Sequence, residues 1–89
     1  MIKAVVLSPS YNYYTLYIRN KRLNPREYPY YMGDEVGKIR GLSKDLPFYF
    51  LEGWLENESY TQKDIQHIKQ RHPIKELSKG WIENEGFGF

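Results

Sequence analysis

The chain of 89 residues is long enough for one domain, residues 1–89, with a single modest hydrophobic core. It has no Cys, which excludes disulfides and thiolate-bound zinc, and its apolar runs are too short to predict a membrane span or a signal peptide. We therefore expect an intracellular, cytoplasmic protein. Its nine Tyr, four Phe and two Trp suit a β-rich core, because aromatic side chains bury much area and favour strands.

The net charge of +2 is unevenly distributed along the chain. Residues 1–44 hold eight Lys or Arg against three acids, a balance of +5, whereas residues 45–89 hold five bases against eight acids, a balance of −3. Such asymmetry is typical of a surface for an anionic partner, and equally of two halves that attract each other within one domain.

Two strands are predicted near the N-terminus. Residues 2–7 are mostly β-branched and apolar, and the Ser-Pro-Ser sequence that follows is typical of a turn. Along 13–19, side chains alternate so that Tyr14, Leu16 and Ile18 share one face of a strand. Residues 19–22 resemble a hairpin tip, with Asn20 suited to the positive φ of a tight turn.

Residues 26–42 combine aromatic residues with Pro29, which indicates an edge strand or an ordered loop. Gly33 and Gly37 are spaced nearly as in a phosphate-binding loop, but Ile39 stands where that loop needs a hydroxyl group. A phosphate site is therefore excluded here, and we expect a connector with a short strand near 36–40.

An eight-residue pattern occurs twice, at 53–60 and 80–87, with Gly, Trp, Glu, Asn and Glu identical in both copies. Alternation predicts that each copy is a short strand that ends in a turn. The first copy extends an aromatic run into one strand over 48–58, bulged at Gly53. We expect both Trp rings to be largely buried.

A helix is predicted over about 61–72. Thr61 is a favourable N-cap with an acidic residue three positions later, basic residues occupy the last turn, and Pro73 stops the helix. Residues 74–79 are expected to be a connector or an extra helical turn. The predicted fold class is α+β: a small single domain with an antiparallel sheet of four or five strands and one α-helix on one face.

No catalytic, metal or cofactor site is predicted. His67 and His72 are five residues apart, whereas metal-binding pairs on helices are three or four apart. No Cys or exposed-turn Ser offers a nucleophile. The paired carboxylates of the two Trp copies would support a small enzyme only if burial or proximity separated their pKa values, and we rank this function third. These carboxylates are Glu56, Glu58, Glu83 and Glu85.

Aromatic and basic residues interleave in the first half of the chain. Tyr and Arg dominate protein–protein hot spots, and the same mixture stacks and neutralises single-stranded nucleic acids. The residues are Tyr13, Tyr17, Arg19, Lys21, Arg22, Arg26, Tyr28, Tyr30 and Tyr31.

The leading hypothesis is therefore a small non-catalytic interaction protein that docks a partner macromolecule through this face, with a protein favoured as that partner. Regulators and inhibitors of this type include chains of phage origin. The alternative is a nucleic-acid-binding module that uses the same face. The face could also be an aromatic layer that serves as a second core.

Overall fold

The computed structural model describes residues 2–33 and 41–77. In chain order, the elements are β1 (Val5–Leu7), α1 (Tyr11–Lys21), β2 (Phe48–Leu51), a 3₁₀ turn (Trp54–Glu56), α2 (Gln62–Arg71) and β3 (Ile74–Leu77). The second Trp copy, with the predicted burial of Trp81, and the predicted short strand near 36–40 lie outside the described residues.

The three strands form one parallel sheet in the order β1-β2-β3. Val5 pairs with Phe48 of the central strand, and Phe48 pairs with Ile74 on its other side. The predicted antiparallel sheet of four or five strands is wrong. The connection between each pair of successive strands contains a helix, which returns the chain to the edge where it began, as parallel pairing requires.

A single additional bridge extends the sheet beyond β1, where Tyr30 pairs in parallel with Val6. The Val5 N–H donates to Pro47 and the Val6 N–H donates to Pro29, so the two neighbours lie on opposite sides of β1. The lateral order is therefore the Tyr30 segment, β1, β2 and β3. The chain changes direction across the sheet between β1 and β2, as doubly wound folds do.

Residues 11–21 form a helix, so the predicted strand 13–19 and hairpin tip 19–22 are wrong. The Ser10 side chain caps the helix by accepting the Tyr13 N–H at 3.2 Å. Tyr14, Tyr17 and Ile18 are all buried. They stand at positions i, i+3 and i+4, which lie on one face of a helix. The tertiary contacts of this stripe prevail over the alternation of apolar residues.

The two helices cover opposite faces of the sheet, which also corrects the prediction of one helix on one face. Along each strand, alternate residues point to opposite faces, so Val6 and Leu51 meet α1 whereas Leu7 and Phe50 meet the face of α2. Both faces of a parallel sheet are usually buried in this way. The α1 face is rich in tyrosine, and the α2 face is aliphatic and phenylalanine-rich.

The predicted strand over 48–58 is wrong beyond Leu51. Gly53 has a φ of 89°, a left-handed conformation that turns the chain into the 3₁₀ turn. Trp54 is therefore not a strand residue. It is partly buried, and its ring contacts Phe50 edge-on with centroids 4.7 Å apart.

The helix predicted over 61–72 is confirmed as α2, Gln62–Arg71. Thr61 is its N-cap, and the Thr61 hydroxyl accepts the Asp64 N–H at 3.2 Å. The connector or helical turn predicted over 74–79 is wrong for its first four residues, because Ile74–Leu77 forms β3. Lys75 and Glu76 of this edge strand are exposed and charged, so the sequence lacks the apolar pattern that predicts a strand.

Candidate functional site

The nine residues of the predicted binding face fall into two groups. The tyrosines turn towards the sheet, whereas the basic residues turn to solvent. Tyr17 and Tyr31 are only 5% and 2% exposed, so neither can contact a partner in this conformation. Tyr13, Tyr28 and Tyr30 are half-buried.

Tyr14 and Tyr17 are buried on the α1 face of the sheet, whereas Tyr31 is buried on the α2 face. Burial raises the pKa of Tyr17 to about 12, and the neighbouring Tyr49 and Tyr28 contribute to this increase. Tyr14, which is not among the nine predicted residues, donates its hydroxyl hydrogen to the Tyr28 carbonyl at 2.6 Å. The aromatic half of the predicted face therefore has the contacts expected of a core layer.

Four exposed cations remain at one end of α1, and we call them the basic cluster. They comprise two residues of the last helical turn, the C-cap and one residue of the turn that follows: Arg19, Lys21, Arg22 and Arg26. Within the described residues none of them forms an ion pair, and the ion pair found nearby joins Lys3 to Glu27 at 3.6 Å.

Backbone hydrogen bonds at the C-cap fix the conformation of the chain at the basic cluster. The Arg22 N–H donates to the Arg19 carbonyl and the Leu23 N–H donates to the Ile18 carbonyl, which together form a Schellman motif. Arg22 has a φ of 55°, a left-handed conformation that glycine usually occupies at this position. Among the described non-glycine residues, it alone has a positive φ.

A second polar feature lies at the carboxyl edge of the sheet, in the segments that follow β1 and β2. The Asn57 side-chain amide donates to the Ser8 carbonyl and to the Tyr30 hydroxyl, both at 2.9 Å. The Asn57 side-chain oxygen accepts the Ser59 N–H. One amide side chain thus joins three separate segments of the chain.

Tyr60 reinforces the same edge. Its hydroxyl accepts the Ser8 N–H at 3.0 Å and donates to the Tyr31 carbonyl at 2.7 Å. Burial strongly raises the pKa of this hydroxyl, which remains protonated and can keep donating. In open α/β sheets, ligands usually bind in a crevice at the carboxyl ends of the strands. Here the Asn57 and Tyr60 side chains form their hydrogen bonds at that edge with other parts of the protein.

Sequence reasoning did not identify Ser8, Asn57 or Tyr60 as a unit. Asn57 lies in the turn that the sequence predicts at the end of the first Trp copy, and its side-chain oxygen forms an Asx turn there by accepting the Ser59 N–H. Its long-range partners lie 49 and 27 residues away in the chain, and no local pattern indicates them.

Neither the edge nor the rest of the described chain forms a metal centre. No group of three or more His, Cys, Asp or Glu side chains in residues 2–33 and 41–77 is arranged to hold a metal ion. Across the same ranges, no helix combines the length and the apolar character that crossing a bilayer requires.

No family model, curated protein or solved structure matches this chain.

Proposed function

We propose that this chain is a non-catalytic interaction protein whose basic cluster docks an acidic surface of a partner protein. The observation that carries the proposal is Arg22. A non-glycine residue in the left-handed region costs about 1–2 kcal/mol, and here the residue that bears this cost is an exposed cation. Strained residues of this kind cluster at functional sites.

Helix stability alone accounts for only part of the cluster. Arg19 and Lys21 lie in the last turn of α1, where cations interact favourably with the helix dipole. Arg22 is the C-cap, next to the last carbonyls of the helix, but Arg26 lies four residues further along the chain, where the dipole effect has fallen off. Their guanidinium groups can pair with carboxylates of a partner in two-point geometry.

A protein partner is favoured over a nucleic acid because of where the tyrosines lie. Single-stranded nucleic acids are held by exposed aromatic rings on which bases stack. Tyr17 and Tyr31 are buried, and Tyr13, Tyr28 and Tyr30 are half-buried against the sheet. The cations could still contact phosphates, but the stacking half of a nucleic-acid site is missing from this face.

Catalysis by paired carboxylates receives no support from the described half of the repeat. Glu56 and Glu58 are both exposed, so burial does not prepare either carboxylate for acid–base work. Glu83 and Glu85 lie outside the described residues.

The test reverses charge at the cluster and at a matched position. An Arg19→Glu/Arg22→Glu variant is compared with a Lys63→Glu/Arg71→Glu variant, which changes two exposed cations of α2 by the same amount. Each chain is titrated with poly-glutamate and with oligo-dT, and is used to capture partners from nuclease-treated lysate. Melting temperatures show whether each variant is folded.

We expect the α1 variant to remain folded and to lose poly-glutamate binding and partner capture, because each reversal replaces an attraction by a repulsion. The α2 variant should retain most of both. Equal loss in the two variants would indicate only diffuse electrostatic attraction and would contradict the proposal. Tighter binding of oligo-dT that weakens steeply with salt would favour the nucleic-acid alternative.

A further inference from the structure

A groove lies between the 3₁₀ turn and the first two turns of α2, remote in sequence from the basic cluster. Its volume is about 330 Å³, and its walls are mainly apolar, with Trp54, Leu55, Tyr60 and Ile65 among the lining residues. We call it the Trp54 groove. Leu55, at its rim, is 79% exposed, which is the highest value among the exposed large hydrophobic residues of the described chain.

The walls of the Trp54 groove are held in place by contacts outside it. Hydrogen bonds from Glu56 N to Gly53 O and from Asn57 N to Trp54 O close the 3₁₀ turn. The two hydrogen bonds of the Tyr60 hydroxyl fix that ring at the other side. A preformed site loses little conformational entropy when it binds, which is the usual condition of small-molecule pockets.

The charge of the groove is supplied by one residue. Among the described residues that line it, Lys69 alone carries a formal charge, and the other polar groups there are neutral hydroxyl and amide groups. The Lys69 ammonium lies 5.7 Å from the centroid of the Trp54 ring and 6.0 Å from that of Phe50. These cation–π contacts hold the positive charge beside the apolar wall.

From this juxtaposition we propose that the Trp54 groove binds a small carboxylate that carries an aromatic or branched aliphatic body. The body lies against Trp54, Leu55 and Ile65, and releases water from their surfaces. The carboxylate lies towards the Lys69 ammonium. Ligand sites typically measure about 300–1,000 Å³, so a groove of about 330 Å³ accepts a compact ligand of roughly bicyclic size.

The experiment uses the full chain and three probes with one shared body: 2-naphthoate, the neutral 2-naphthamide and the cationic 2-naphthylmethylammonium. Binding is followed by NMR through the Trp54 indole N–H and the Ile65 methyl groups. We expect 2-naphthoate to shift these resonances and to bind about three-fold more tightly than the amide, which is the size of an exposed ion pair. The cation should bind most weakly.

Three variants locate the effect. Lys69→Gln should remove the preference for 2-naphthoate over the amide, whereas Lys63→Gln, an exposed cation of α2 outside the groove, should leave it unchanged. Gln66→Trp places a ring in the groove from its lining and should abolish binding of all three probes.

Equal affinities for the three probes, or a preference that survives in Lys69→Gln, would overturn the proposal. Shifts confined to residues away from the groove would do the same. If 2-naphthoate fails while acetyl-Glu-Phe-Glu-amide shifts the same resonances, the occupant is a segment of a protein and the small-ligand proposal is wrong. None of these outcomes depends on the basic cluster, so the proposed function is tested separately.

Discussion

The Asn57 side-chain amide donates a hydrogen bond to the Ser8 carbonyl at 2.9 Å, which joins the loop after β2 to the end of β1. Ser8 is fully buried, so its carbonyl cannot exchange this donor for water without structural change. The same amide also donates to Tyr30, on the far side of β1. The Asn57 side chain therefore closes the carboxyl edge of the sheet at β1 through hydrogen bonds within the protein.

Replacement of Asn57 by Asp tests this closure. The new carboxylate would still accept the Ser59 N–H, but it cannot donate to Ser8 or Tyr30. We expect the free energy of unfolding to fall by about 1–3 kcal/mol, the cost of an unsatisfied buried group. Asn24→Asp is the control, because the Asn24 side chain accepts an exposed Arg26 N–H and should lose no more than about 0.5 kcal/mol. Urea unfolding measures both, and equal stability of wild type and Asn57→Asp would contradict the closure.

Gly33 and Gly53 should respond differently to alanine, although both have positive φ values of 84° and 89°. A Cβ atom at Gly33 would collide with the backbone carbonyl of Ser59, whereas at Gly53 it would meet Pro9 at an ordinary 3.6 Å. We expect Gly53→Ala to cost about 1–2 kcal/mol from backbone strain. Gly33→Ala should cost clearly more, and chemical denaturation compares the two. Equal losses would show that the Gly33–Ser59 contact relaxes freely.

The sequence predicted those elements whose signals are local. Thr61 and Pro73 bounded α2 correctly because capping and proline effects act within a few residues. In α1, Tyr14, Leu16 and Ile18 fit an alternating strand, while Tyr14, Tyr17 and Ile18 fit a helix. Only the tertiary contacts of Tyr17 distinguish the two patterns.

Strand direction could not be derived once α1 was assigned as a strand. A helix between β1 and β2 is what makes parallel pairing of Val5 with Phe48 possible. In the candidate site, too, some features follow from local sequence and others depend on tertiary structure. The exposed cations of the basic cluster follow from residue type, whereas the burial of Tyr17 and Tyr31 depends on helix orientation and on the position of the Tyr30 segment.

Replacement of Arg22 by Gly should separate stability from binding. Glycine adopts the left-handed conformation without strain but loses more backbone entropy on folding, so we expect a net rise of about 0.5–1 kcal/mol in the free energy of unfolding. Lys21→Gly is the control: it removes one exposed cation from the last residue of the helix and should destabilise it by up to about 1 kcal/mol. Both variants should bind poly-glutamate more weakly. A loss of stability in Arg22→Gly would contradict the strain assigned to this cap.

His72 should make stability depend on pH. Its side chain is 6% exposed, its Nδ1 lies 3.1 Å from the Leu46 carbonyl, and its ring packs against Phe48. Burial lowers its pKa below the ordinary 6.5, and the neighbouring His67 and Arg71 lower it further, against the opposing effect of the Leu46 and Ser43 backbone.

Because the folded-state pKa lies below the unfolded value, protonation favours the unfolded chain. The stability that neutral His72 contributes is complete above about pH 6.5 and is lost as the pH falls through the folded-state pKa. We expect the melting temperature to decrease between about pH 7.5 and 5.5, and His72→Gln to flatten this dependence. The control His67→Gln should keep most of it. An unchanged slope in His72→Gln would assign the effect to other groups.

The central position of β2 has a consequence for the way the chain folds. Phe48 of β2 pairs with Val5 on one side and with Ile74 on the other, and neither partner is close to it in sequence. Strand pairing on either side of β2 therefore requires closure of a long loop. The chain loses this conformational entropy before strand contacts can compensate for it. Non-local pairing of this kind slows folding relative to helical bundles of similar size. A nascent chain that ends before Leu51 leaves β1 without a complete neighbouring strand from β2, so we expect the sheet to assemble only after β2 has been synthesised.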